Sequence, residues 1–193
     1  MKVAIIKYNA GNTQSVIFAL NRLGIEPILT DDVNEISSAD KVIFPGVGEA
    51  SSTMHHLRQT GLDQLIPALQ QPVLGICLGM QLMCRYSAEG NVECMNIFDV
   101  DVRRFEMPDL KVPHMGWNNL SLQNDPINQN LSDEHMYFVH SFYVPVCDYT
   151  VATCNYGLDF SATLQKDNFY AMQFHPEKSG AQGLQLIKNF IDL

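Results

Sequence analysis

Pro72-Val73-Leu74-Gly75-Ile76-Cys77-Leu78-Gly79-Met80-Gln81 is the stretch on which the fold turns. Val73, Leu74 and Ile76 follow a proline as a short apolar run, which reads as a buried strand. The pattern that resumes after Gly79 reads as a helix. Cys77 therefore falls on a tight strand-to-helix turn. Gly75 and Gly79 flank it and let neighbouring backbone approach closely, the layout of a nucleophile elbow with sulfur in place of the usual serine oxygen. A helix N-terminus at the thiol favours the thiolate, which is the reactive form.

Upstream of this turn the chain alternates strand and helix. Val3 to Ile6 reads as a strand, and Tyr8-Asn9-Ala10-Gly11-Asn12 as a turn into a helix that starts near Thr13. Val16, Ile17, Leu20 and Leu23 give that helix an apolar face, and Gly24 closes it. Pro27 to Leu29 and Val42 to Phe44 are further strands, the second ending in Pro45-Gly46-Val47-Gly48. Ser51 to Gln59 and Leu62 to Leu69 read as helices broken at Gly61. Strands alternating with helices predict an α/β fold: a mostly parallel central sheet with helices on both faces. After about Asn91 the texture becomes β-rich, with short pieces at 100–105, 112–117, 137–144, 151–154, 161–165 and 170–174. They read as antiparallel additions in the C-terminal half, before a closing helix from Gly183 to Ile191. No repeat or linker interrupts residues 1–193, so a single domain is expected.

Composition narrows the function. The net charge of −9 argues against a general nucleic-acid binder, which needs clustered Lys and Arg. The 5 cysteines are odd in number and include no C-x-x-C pair, so neither a disulfide framework nor a metal site is suggested. The apolar run after Lys2 is too short for a signal peptide, and none approaches the roughly 20 residues that span a bilayer. A cytoplasmic protein without a membrane segment is the expectation.

A thiol on an elbow needs a base. Among 6 histidines, His175 has the clearest orienting partner, in His175-Pro176-Glu177 after the apolar Met172-Gln173-Phe174. In extended backbone, residues i and i+2 share a face, so Glu177 can hold one ring nitrogen while the other faces Cys77. The expected triad is Cys77, His175 and Glu177. Gly46-Val47-Gly48 ends a neighbouring strand and can offer backbone N–H groups of Val47 and Gly48 to an oxyanion. The N–H of Leu78 would be the other donor. The β-branched Val47 resists unusual φ values, so any rearrangement there costs strain. His114 and His140 have no comparably rigid carboxylate neighbour.

Together, Pro45-Gly46-Val47-Gly48, Gly75-Ile76-Cys77-Leu78-Gly79-Met80-Gln81 and His175-Pro176-Glu177 resemble the class I glutamine amidotransferases. Within that family the chain resembles the glutaminase subunits of imidazole glycerol phosphate synthase. That narrower likeness rests on Val112-Pro113-His114-Met115-Gly116-Trp117-Asn118, on Tyr137-Phe138-Val139-His140-Ser141-Phe142-Tyr143, and on Lys178-Ser179-Gly180 after His175-Pro176-Glu177. The resemblance implies glutamine hydrolysis through a thioester on Cys77, with no cofactor. It assigns Gly46, Gln81, Glu89, Ser141 and Phe142 to glutamine. It also implies a partner, a (β/α)8-barrel cyclase that receives the ammonia in histidine biosynthesis, with Asn12, Trp117, Tyr137 and Lys178 facing it. Glutaminases of anthranilate or pyridoxal phosphate synthesis share the elbow but not Pro113-His114-Met115-Gly116-Trp117. A cysteine peptidase on the same scaffold, a scaffold subunit without catalysis, and a flavodoxin-like nucleotide binder, against which the lack of a G-x-G-x-x-G or Walker loop argues, are further alternatives.

Overall fold

The computed structural model describes residues 1–8, 13–106, 110–131 and 135–193. Four strands, β1 (Val3–Ile6), β2 (Ile28–Thr30), β3 (Lys41–Phe44) and β4 (Val73–Ile76), build the parallel part of a sheet in the order β2-β1-β3-β4. All residues of β1, β3 and β4 are buried, which is why, Lys41 at the start of β3 apart, they carry no charged or polar side chain. Alternate residues feed two cores: Ala4, Ile6, Val42, Phe44 and Val73 face one way, and Val3, Ile5, Ile43, Leu74 and Ile76 the other.

Helix α1 (Thr13–Arg22) packs Val16, Ala19 and Leu20 on the second core. Gly24, at φ 77°, ends it by donating to the Asn21 carbonyl. Asp32 caps a short α2 (Val33–Ser37), its carboxylate accepting from the Asn34 and Glu35 N–H groups. Helices α3 (Ala50–Thr60) and α4 (Leu62–Ala68) meet at Gly61, φ 75°, and cover the first core. The elbow helix α5 (Leu78–Met83) is buried on every side, so it shows no amphipathic period.

The second half differs from expectation in two respects. Strands β5 (Cys84–Ser87), β6 (Val92–Glu93), β7 (Phe98–Arg104) and β10 (Phe142–Tyr143) form a separate sheet, ordered β10-β7-β5-β6. The 100–105 segment therefore does not extend the central sheet. Strands β8 (His114–Leu122), β9 (His135–His140), β11 (Thr150–Asn155) and β12 (Asp159–Lys166) do extend it in antiparallel fashion. The last strand, β13 (Phe169–Met172), is antiparallel to β12 but runs parallel to β4, pairing Met172 with Ile76. It is a core strand and not an appendage. Helix α6 (Gly180–Asp192) then returns Leu186, Ile187, Phe190 and Ile191 to the second core beside α1. Among the described residues no helix is long and apolar enough to cross a membrane.

Candidate active site

The adjacency of β4 and β13 creates the site. Because they run parallel in register, their C-terminal ends deliver Cys77 and Gln173-Phe174-His175 to the same edge of the sheet. That edge, beyond the carboxyl ends of parallel strands, is where α/β sheets place their ligands. The Cys77 N–H donates to the Met172 carbonyl at 2.7 Å, tying the elbow to β13. Cys77 sits at φ 54°, ψ −108°, a conformation that costs a non-glycine residue about 1–3 kcal/mol. Two glycines supply the room: a Cβ on Gly46 would lie 2.3 Å from the Gly79 nitrogen, and one on Gly79 would lie 2.1 Å from the Phe44 carbonyl oxygen.

His175 is 1% exposed, and its Nδ1 lies 2.8 Å from Glu177 Oε1. Burial acts to lower the His175 pKa, but the Cys77 sulfur and the Glu177 carboxylate outweigh it and raise it to about 9. An imidazolium on His175 is the charge state this favours. Nε2 is buried without a conventional hydrogen bond, which leaves it to the Cys77 side. Ser179 fixes the turn: its Oγ donates to the His175 carbonyl at 2.7 Å and accepts from the Tyr137 N–H at 2.9 Å.

A cleft of about 360 Å³ opens over this group, lined by Val47, Gly48, Cys77, Leu78, Gln81, Glu89, Ser141, Phe142 and His175 together with Pro113, Val139 and His140. The structure thus gathers the expected residues around one cavity, Gly46 lying beneath it against α5. Three contacts qualify their expected parts. Gln81 spends its Nε2 on the Phe142 carbonyl and on Gln173 Oε1, both at 3.0 Å, so its Oε1 is the atom left for a ligand. Ser141 gives its carbonyl to the Phe105 N–H at 3.1 Å. Glu89 accepts from the Ala50 N–H at 3.0 Å, and burial, with Glu49 nearby, raises its pKa.

The backbone N–H groups expected to serve an oxyanion, those of Val47 and Leu78, do not converge in this conformation. The Leu78 N–H makes a long 3.4 Å bond to the Gly46 carbonyl. In a trans peptide C=O and N–H point in opposite directions, so the Val47 N–H is aimed away from Leu78. The Gly46–Val47 peptide would have to rotate for both donors to converge. Tyr8 holds the preceding residue, its hydroxyl donating to the Pro45 carbonyl.

Of the expected partner-facing residues, Trp117 is 56% exposed and packs edge-on against Tyr137, with centroids 6.1 Å apart. Lys178 is exposed at the turn after His175, and Asn12 lies outside the described residues. Gln173, fully buried, is a contributor the sequence reading passes over. Its Nε2 approaches the Cys77 sulfur at 3.8 Å, and its only signal is a polar residue inside an apolar strand just before His175.

A strained thiol at a helix start, a buried His–Glu pair and an amide-rich cleft define a cysteine-dependent amide-transfer site on a parallel sheet. The chain belongs to the class-I glutamine amidotransferase family, whose model matches residues 4–193. It is 61% identical to the imidazole glycerol phosphate synthase subunit HisH of Bacteroides thetaiotaomicron, over 100% of both chains. It is 45% identical to the subunit of the same name from Haemophilus influenzae, over 100% of this chain and 98% of that one. The fold is shared with a solved glutamine amidotransferase at TM-score 0.78 and 18% identity, covering 100% and 98% of the two chains. PurLQS from Thermotoga maritima shares it at TM-score 0.74 and 15% identity, covering 99% and 97%.

Proposed function

We propose that this chain is the glutaminase subunit of an imidazole glycerol phosphate synthase, hydrolysing glutamine to glutamate and ammonia for a cyclase subunit. The observation that carries the chemistry is the Glu177–His175 pair held against Cys77 by adjacent parallel strands. The Cys77 thiolate attacks the side-chain amide carbon of glutamine, and the C–N bond breaks as His175 Nε2 gives its proton to the leaving nitrogen. His175, neutral again, takes a proton from water, whose oxygen attacks the thioester. Glutamate departs and the Cys77 sulfur is regenerated. Glu177 orients the ring and stabilises its charged form. Gln81 Oε1 and the Glu89 carboxylate supply acceptors for the ammonium end of glutamine, and the 141–142 backbone holds its other end.

The resting Gly46 carbonyl occupies the place of an oxyanion donor, so the chain alone is a poor glutaminase. Losing one such donor costs about 10²–10³ in rate. The partner is a (β/α)8-barrel cyclase docking over Trp117, Tyr137 and Lys178. Its engagement turns the Gly46–Val47 peptide. Glutamate release should be measured with a candidate cyclase and its phosphoribulosyl-formimino ligand present. Wild-type chain should be active and Cys77→Ala silent; comparable release by the variant would remove Cys77 from the reaction.

A further inference from the structure

The register of β8 with β9 pairs His114 with His140, and the two rings touch: His114 Nδ1 lies 2.9 Å from His140 Nε2. Neither histidine has a part in the triad, yet both are buried and His140 lines the cleft. The bonds at either end fix where every proton sits. His140 Nδ1 is 2.7 Å from the Phe142 carbonyl oxygen, which can only accept, so Nδ1 carries the hydrogen. For a neutral ring, Nε2 is then the acceptor, and His114 Nδ1 must be the donor. His114 Nε2 in turn accepts from Asn118 Nδ2 at 3.2 Å, and that amide also donates to the Asn155 carbonyl at 2.9 Å.

The same Phe142 carbonyl also accepts from Gln81 Nε2. Gln81 Nε2 donates as well to Gln173 Oε1, and Gln173 Nε2 points at the Cys77 sulfur. One carbonyl oxygen therefore sets the polarity of a chain that starts on β8 and ends at the nucleophile. Both rings are disfavoured as cations: burial lowers His114 to about 4. It lowers His140 to about 3, against the Phe142 bond and with help from His114 and His175. The rings are also packed to stay in place, His114 stacking on Tyr156 at 4.1 Å and on Phe138 at 4.9 Å.

We infer that His114 and His140 are positioning residues for glutamine. As a pair of neutral Nδ1–H imidazoles running from Asn118 to the Phe142 carbonyl, they hold the 140–142 segment and the Gln81 amide in the geometry that receives the substrate. Neither ring moves a proton in the reaction. The inference rests on the glutaminase reading for its kinetic consequence, but the ring states stand apart from it.

Two measurements test it. Long-range ¹H–¹⁵N spectra of the histidine-labelled full chain at pH 6 should show both rings neutral and protonated at Nδ1. A charged ring, or one protonated at Nε2, overturns the chain. In the complex with cyclase and its ligand, His140→Phe keeps the ring volume and removes the donor, so glutamine KM should rise about tenfold with kcat changed less than about threefold. His140→Asn restores a donor at the Nδ1 position and should return KM to within about threefold of wild type. An unchanged KM in His140→Phe, or a KM raised equally in both variants, overturns the positioning role. A wild-type complex without glutaminase activity would overturn the functional reading instead, and the spectra would still decide the ring states.

Discussion

Gly79→Ala is the sharpest probe of how the elbow is held. The added Cβ would lie 2.1 Å from the Phe44 carbonyl oxygen, more than 1 Å inside ordinary contact. The obstructing atom is backbone at the C-terminal end of β3, a fully buried strand held between β1 and β4, so it has little freedom to yield. Overfilling a packed core costs about 1–3 kcal/mol, and a rigid neighbour puts this case at the upper end. Alanine returns about 1 kcal/mol as a better helix former than glycine, leaving a net loss of about 2 kcal/mol. The more telling effect is on reactivity. Helix α5 must move away from β3 by about 1 Å, carrying the Leu78 N–H and the Cys77 sulfur, and a displacement of that size near reacting atoms costs about 10²-fold in rate. Urea unfolding reads the first quantity. The rate at which an electrophilic glutamine analogue alkylates Cys77, in complex with the cyclase and its ligand, reads the second. Gly24→Ala is the control: it strains a left-handed residue, at φ +77°, but meets nothing within 4 Å. It should lose about 1 kcal/mol and leave alkylation unchanged. If Gly79→Ala matched wild type in both assays, close packing on Phe44 could not be what sets the elbow.

Stability should peak near pH 6.5, with the two limbs arising from different histidines. His175 has its folded pKa raised to about 9, so its contribution is complete below the ordinary value of about 6.5 and is lost as pH rises through 9. His114 and His140 are lowered to about 4 and about 3, so their contribution is complete above about 6.5 and is lost as pH falls toward those values. Glu177→Gln should flatten the alkaline limb of urea midpoints and leave the acid limb intact; an unaltered alkaline limb would refute the assignment. Asn189 donates to the carbonyls of Ile127 and Gln129 at 2.9 and 2.7 Å. Asn189→Ala should therefore cost about 2 kcal/mol in unfolding without slowing Cys77 alkylation, since α6 would lose its tie to the 126–129 turn but the elbow would be untouched.

The parallel strands were legible because burial on both faces leaves an uninterrupted apolar signature, as in Val3–Ile6 and Val73–Ile76. The elbow was legible because Gly75, Cys77 and Gly79 combine residue types that chemistry and sterics both demand. The direction of β13 was not. Four residues from Phe169 to Met172 look the same whether they pair parallel or antiparallel, and the choice is made by long-range contact with β4. Helix α5 carries no amphipathic stripe because no side of it meets water. The His114–His140 pair was hidden for a related reason: its meaning lies in cross-strand register, and neither residue has an informative sequence neighbour. The unassembled oxyanion donors depend on the rotation of a single peptide, which side-chain identities do not encode.

The insertion of β13 beside β4 also shapes how the protein is made. Until residues 169–172 emerge, β4 would be the outer margin of a half-built parallel sheet, with Val73, Leu74 and Ile76 lying along an unpaired ladder. Such a margin invites pairing with other chains. A nascent or prematurely terminated chain would therefore be aggregation-prone and, on the proposed triad, chemically inert, because His175 arrives with the strand that seals the sheet. Completion of the fold and acquisition of a glutamine-splitting thiol are one event, and a partly synthesised molecule cannot squander glutamine.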